Sequence, residues 1–121
     1  MSRLYTHLKL KGVMLMIVTR GTTPELFCVI PAEISVDNIK EIWISIAQMG
    51  EIIVDRKLSD GGVIINVINL TFRLTQEDSL KFKTFSPAYC GVRILLNDGT
   101  ALASKKEEVI ISDVVKGGVM I

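Results

Sequence analysis

Ile68-Asn69-Leu70-Thr71-Phe72-Arg73-Leu74 alternates apolar and polar residues throughout. A strand turns successive side chains to opposite faces, so this stretch predicts one that buries Ile68, Leu70, Phe72 and Leu74 together. Ile42-Trp43-Ile44-Ser45-Ile46 repeats the pattern, with three isoleucines on one face and Trp43 and Ser45 on the other. β-Branched isoleucine suits such a pleated, half-buried surface. Val92-Arg93-Ile94-Leu95-Leu96 alternates in the same way, Leu15–Arg20 reads as a first strand, and Val109–Val115 reads as a last one.

Turn residues separate these runs. Asn97-Asp98-Gly99 stands between Leu95-Leu96 and Ala101-Leu102, a hairpin signal because Asp-Gly tolerates positive φ. Gln48-Met49-Gly50-Glu51 predicts a second hairpin, and Asp60-Gly61-Gly62 joins Ile52–Leu58 to Val63–Leu74. Thr75 followed by Asp78 offers an N-cap with an acid in the first turn. One helical turn is therefore expected over Gln76–Phe82, with Leu80 and Phe82 plugging the end of the domain. Short strands at this spacing predict an all-β fold. The form expected is an immunoglobulin-like antiparallel β-sandwich of about seven strands with one short helical turn. Tyr89 and Cys90 are adjacent, whereas the tyrosine corner of antibody domains places the Tyr two residues before the Cys. A true antibody-type domain is therefore not expected.

The whole chain has 121 residues, 49% hydrophobic and 22% charged, the composition of one folded domain. Its 14 bases and 13 acids leave a formal charge of +1, which gives no general attraction to nucleic acid or to an anionic membrane. Arg3, Lys9, Lys11 and Arg20 precede the first acid, Glu25. The apolar run Val13–Val18 after that basic start is shorter than the roughly 7–15 residues of a secretory core. Met14 and Met16 offer internal starts, so residues 1–13 are read as a basic N-terminal arm or an upstream extension. Residues 14–121 are read as the single domain.

No catalytic, cofactor-binding or metal-ligating residue is assigned. His7, the one histidine, lies in the arm without a partner to orient it. Cys28 and Cys90 fall in apolar runs and read as buried free thiols able to face each other across two sheets. With one His and two Cys, a His/Cys metal cage lacks ligands. Glu77-Asp78 fits a first helical turn, and Glu107-Glu108 a charged connection after Lys105-Lys106. Asp60-Gly61-Gly62 precedes a strand where a phosphate loop needs a helix. Most aromatics sit where a core would take them, without the interleaved bases of a nucleic-acid surface.

Two features remain as candidate contacts. Trp43 opposes the isoleucine face and is either covered by a second layer or exposed as an anchor; 6% aromatics favours the covered position. Arg20, Thr22 and Thr23, in Arg20-Gly21-Thr22-Thr23-Pro24, form a polar lead-in to the Leu26–Ile30 strand, whose entry Pro24 suits.

Four stretches occur in order: Arg20-Gly21-Thr22-Thr23-Pro24, Gln48-x-Gly50, Leu74-Thr75-Gln76-Glu77-Asp78-x-Leu80-Lys81-Phe82 and Ala101-Leu102-Ala103-Ser104. Over residues 16–121 the chain resembles small prophage-encoded structural proteins of Gram-positive bacteria, which carry a similar series. It is more distantly similar to the N-terminal β domain of phage baseplate upper proteins. Ser104-Lys105-Lys106-Glu107-Glu108 is more charged than that family's continuation. The resemblance implies a non-enzymatic virion component of tail or baseplate, homo-oligomeric among other tail proteins, without cofactor and without nucleic-acid or membrane partners. The alternative expectation is a small carbohydrate- or host-surface-binding module with Trp43 as a stacking platform.

Overall fold

The computed structural model describes residues 7–8 and 16–121. The arm expected over residues 1–13 lies outside the described residues except for His7–Leu8, a two-residue strand β1. The other strands are β2 (Met16–Thr19), β3 (Glu25–Val29), β4 (Ile39–Gln48), β5 (Glu51–Lys57), β6 (Ile64–Asn66), β7 (Asn69–Arg73), β8 (Ala88–Leu96), β9 (Ala101–Ser104) and β10 (Glu107–Ser112). Helix α1 (Gln76–Leu80) separates β7 from β8. A 3-10 turn at Val36–Asn38 leads into β4.

These strands form two sheets. In the large one β8 is central, with β4 on one side and β9 and β10 on the other; β5 flanks β4, β1 pairs β9 and β2 pairs β10. The small sheet runs β3-β7-β6. Taken in chain order from β2, this is the immunoglobulin-like arrangement, with an extra hairpin strand (β5) beside the central strands. The sandwich is not wholly antiparallel, because β2 runs parallel to β10, as β1 does to β9. Ten segments occupy fewer positions than their number suggests, since β9 and β10 lie in succession along the same side of β8. Arg93 faces Ala103 while Cys90 faces Glu107, so one extra residue is accommodated between them. The Ser104 hydroxyl accepts the Val92 N–H at 2.9 Å, satisfying an amide at that irregularity.

The alternating runs supply the core. Ile42, Ile44 and Ile46 of β4 and Val92 and Ile94 of β8 are buried together with Leu26 and Cys28 of β3 and Leu70 and Phe72 of β7. Each such side chain contributes roughly 1.5–3 kcal/mol by leaving water. Leu74 and Phe82 are fully buried, while Leu80 is only half-buried. The Gln48–Glu51 hairpin forms, with Met49 at φ 55 and Gly50 at φ 77, the two positive values of a type I′ turn. Thr75 and Asp78 make a reciprocal capping box. Burial pulls the Asp78 carboxyl up, but the Thr75 N–H, the Arg56 guanidinium and the Thr75 hydroxyl outweigh it and hold the carboxyl below its ordinary range.

Three expectations are corrected. Ile68 does not join Leu70, Phe72 and Leu74 in the core; it is 47% exposed. A turn cuts the Val63–Leu74 run between Asn66 and Asn69, with Val67 at φ 60, so β6 and β7 pair as a hairpin and the buried strand begins one residue later. The last strand ends at Ser112, and Val114 and Val115 lie beyond it in solvent. Of the phenylalanines only Phe72 and Phe82 are core residues; Phe27 and Phe85 are exposed, as is Tyr89.

Candidate functional site

Trp43 is not covered by a second layer. It projects half-buried from the outer face of the large sheet, because the isoleucines alternating with it occupy the inner face. Three successive outward rungs cross β5, β4 and β8 here. Lys57, Trp43 and Arg93 form one; Asp55, Ser45 and Gly91 the next; Ile52, Ala47 and Tyr89 the third. At about 3.3 Å per residue, Trp43 and Tyr89 stand on rungs about 13 Å apart. Between them lies an open groove of about 790 Å³, whose far rim carries Ser104 and Lys106.

Gly91 leaves the middle of that groove without a side chain: a Cβ there would meet no atom within 4 Å. Beside it the Ser45 hydroxyl donates to Asp55 Oδ1 at 2.8 Å, which leaves Asp55 Oδ2 facing solvent chemistry rather than another donor among the described residues. Arg93 and Lys106 have no carboxylate partner among the described residues. The groove thus combines aromatic walls with a carboxylate, hydroxyls and cations on a rigid floor.

Arg20, Thr22 and Thr23 lie elsewhere, at the end of the sandwich beside α1. Arg20 pairs with Asp113 through both carboxylate oxygens, at 3.1 and 3.0 Å, and donates to the Leu80 carbonyl. Gly21 donates its N–H to the Ser79 hydroxyl, which in turn donates to the Thr22 carbonyl; Thr22 Oγ1 donates to the Thr19 carbonyl. Gly21 needs its positive φ of 83 to make this close approach. Gln76 holds the Met120 backbone through both ends of its side-chain amide: Nε2 donates to the Met120 carbonyl and Oε1 accepts the Met120 N–H. Two stretches of the resemblance therefore interlock and pin the chain's last residues, leaving Thr23 exposed. Alternation alone places Trp43 and Ser45 on this face; Asp55, Gly91, Arg93 and Tyr89 join them only through the strand register. A glycine inside a strand pattern was the available signal, since it marks a place kept clear of side chain.

Cys28 and Cys90 are free and fully buried, one on each sheet. Burial, with a smaller push from Glu107, raises the Cys28 thiol from about 9.0 to about 12. Burial, with the neighbouring Cys28 and Glu107, raises Cys90 in the same direction. Among the described residues no group of three His, Cys, Asp or Glu side chains could hold a metal ion, and no helix is long and apolar enough to cross a membrane.

No family model and no curated protein matches the chain. Among solved structures, the chain is similar to extracellular domains 3-5 of Drosophila OTK, at 15% identity and a TM-score of 0.38. That match covers 90% of this chain and 35% of the other. The immunoglobulin-like assignment stands on the strand order and register described above.

Proposed function

We propose that this chain is a non-enzymatic structural component of a phage or prophage particle, in the tail or baseplate. It works by subunit contacts through the outer face of its large sheet. One observation carries the reading: exposed apolar side chains gather on that face at the end nearest the Gln48–Glu51 turn. Tyr89, Ala47 and Ile52 share a rung of β8, β4 and β5; Glu108 stands opposite Tyr89 on β10, and exposed Ile110 and Ile17 pair one rung beyond it. Met49, in the turn, is 66% exposed. An exposed apolar patch on a small domain is a mark of an interaction site. The resemblance of residues 16–121 to prophage structural proteins supplies the setting, and in that setting the particle is its location.

Mass spectrometry of density-purified particles from an induced culture of the strain that carries the gene tests this. The expected result is peptides of this chain at a fixed ratio to a major tail protein. Abundance in the lysate with absence from particles would overturn the reading.

A further inference from the structure

We propose that the groove between Trp43 and Tyr89 is a saccharide-binding site, taking a glycan about two pyranose rings long. This goes beyond subunit contact: the groove is complete within one chain, and it shares Tyr89, Ala47 and Ile52 with the proposed contact, so saccharide and subunit would compete for that end of the face.

The chemistry of a sugar is two-sided: a ring face of C–H groups that packs on an aromatic plane, and a rim of hydroxyls that both donate and accept. Trp43 lines the groove with a half-buried aromatic side chain, flanked on its rung by Lys57 and Arg93. Its own rung, the next one and the far rim supply partners for the hydroxyls. Asp55 accepts, Ser45 and Ser104 carry hydroxyls, and Arg93 donates without a competing carboxylate among the described residues. All sit on strands rather than loops, so their spacing is fixed before a ligand arrives, which lowers the ordering cost of binding. The floor is the deciding feature. Gly91 is the one outward position of the central strand between Tyr89 and Arg93, and it leaves the groove floor free of a side chain there. The volume of about 790 Å³ lies within the usual range of ligand sites. A purely apolar ligand would strip water from Asp55 and Arg93 without replacing it, which disfavours that class.

Trp43 is the chain's one tryptophan, so its fluorescence reports this groove alone. The full chain is first applied to a glycan array. The glycans retained are then titrated against the fluorescence of the wild type, Trp43→Ala, Gly91→Val and Asp55→Asn. Valine at position 91 suits a strand and its Cβ meets no atom within 4 Å, so that variant should keep the fold while narrowing the groove at its floor. The result expected is a saturable change in Trp43 emission with at least one array glycan. Gly91→Val and Trp43→Ala should lose retention on the array, and Asp55→Asn should bind about tenfold more weakly, the effect of one hydrogen bond to a charged group. Phe27→Ala, on the other sheet, should bind as the wild type does. Retention of no glycan, or binding unaltered in a folded Gly91→Val variant, overturns the proposal. Emission changes with unglycosylated peptides alone would also overturn it, in favour of a peptide-binding face.

Discussion

Gln48 and Lys83 are joined by two hydrogen bonds that run in opposite senses. Gln48 Oε1 accepts the Lys83 N–H at 2.7 Å, and Gln48 Nε2 donates to the Lys83 carbonyl at 2.6 Å. The same amide donates to the Ser86 carbonyl at 2.7 Å. One buried side chain at the end of β4 thus fixes the loop that carries exposed Phe85 and leads into β8. The Gln48-x-Gly50 pattern gains a physical meaning: Gln48 clasps the loop and Gly50 turns the hairpin.

Gln48→Ala should cost about 2–4 kcal/mol, since it removes three part-buried hydrogen bonds worth roughly 0.5–1.5 kcal/mol each. Urea denaturation followed by circular dichroism checks this. An unchanged midpoint would show that water replaces the clasp.

Leu70 and Ile68 separate the observed hairpin from a single uninterrupted strand. Leu70 is 2% exposed and Ile68 is 47% exposed. Leu70→Asp should unfold the domain, because an unpaired buried carboxylate costs several kcal/mol against a total of about 5–15. Ile68→Asp should leave a cooperative transition within about 1 kcal/mol of wild type, as surface changes do. Thermal melts of both variants distinguish the two registers.

Val67 holds a φ of 60 at the tip of that hairpin and is 79% exposed. A β-branched residue is poorly suited to this left-handed conformation, which Asn adopts more readily. Val67→Asn should therefore stabilise the protein by about 1 kcal/mol, read as a higher denaturation midpoint. A lower midpoint would show that Val67 makes contacts worth more than the strain.

The two thiols make stability fall in alkali. Cys28 titrates near 12 when folded against about 9.0 ordinarily, and Cys90 shifts the same way. The folded state therefore holds its thiol protons where the unfolded chain has released them. The contribution is complete below pH 9 and declines as pH rises toward 12, by up to about 1.4 kcal/mol per pH unit for each thiol. Denaturation at pH 8, 9 and 10 should show a decline that Cys28→Ala reduces. A disulfide reagent at pH 8 should label neither cysteine in the native protein and both after unfolding.

The sequence makes some features of this fold legible and hides others for identifiable reasons. Strand faces at Ile42–Ile46, the Thr75 cap and the Gln48–Glu51 turn follow from local chemistry, and each forms. The break at Val67 was hidden because the apolar run continues through it; only Asn66 and Asn69 hint at a turn. Alternation sets Trp43 opposite the isoleucines, but whether a second layer covers that side depends on the topology of the whole sheet. The Arg20–Asp113 pair and the Ser79 contacts join segments far apart in sequence, which periodicity cannot register. The groove was half visible, since Trp43 and Ser45 stand on one face, whereas Gly91 acquires meaning only when β8 is placed beside β4.

The outer face of the large sheet is proposed to meet another subunit in an assembled particle. The most direct measurement places a photo-crosslinking amino acid at Ile52, and separately at Phe27 on the opposite sheet, then irradiates purified particles. A discrete cross-linked band is expected from Ile52, to a second copy or another particle protein, and none from Phe27. Particles that contain the chain but give no Ile52 product, or give one only from Phe27, would contradict it.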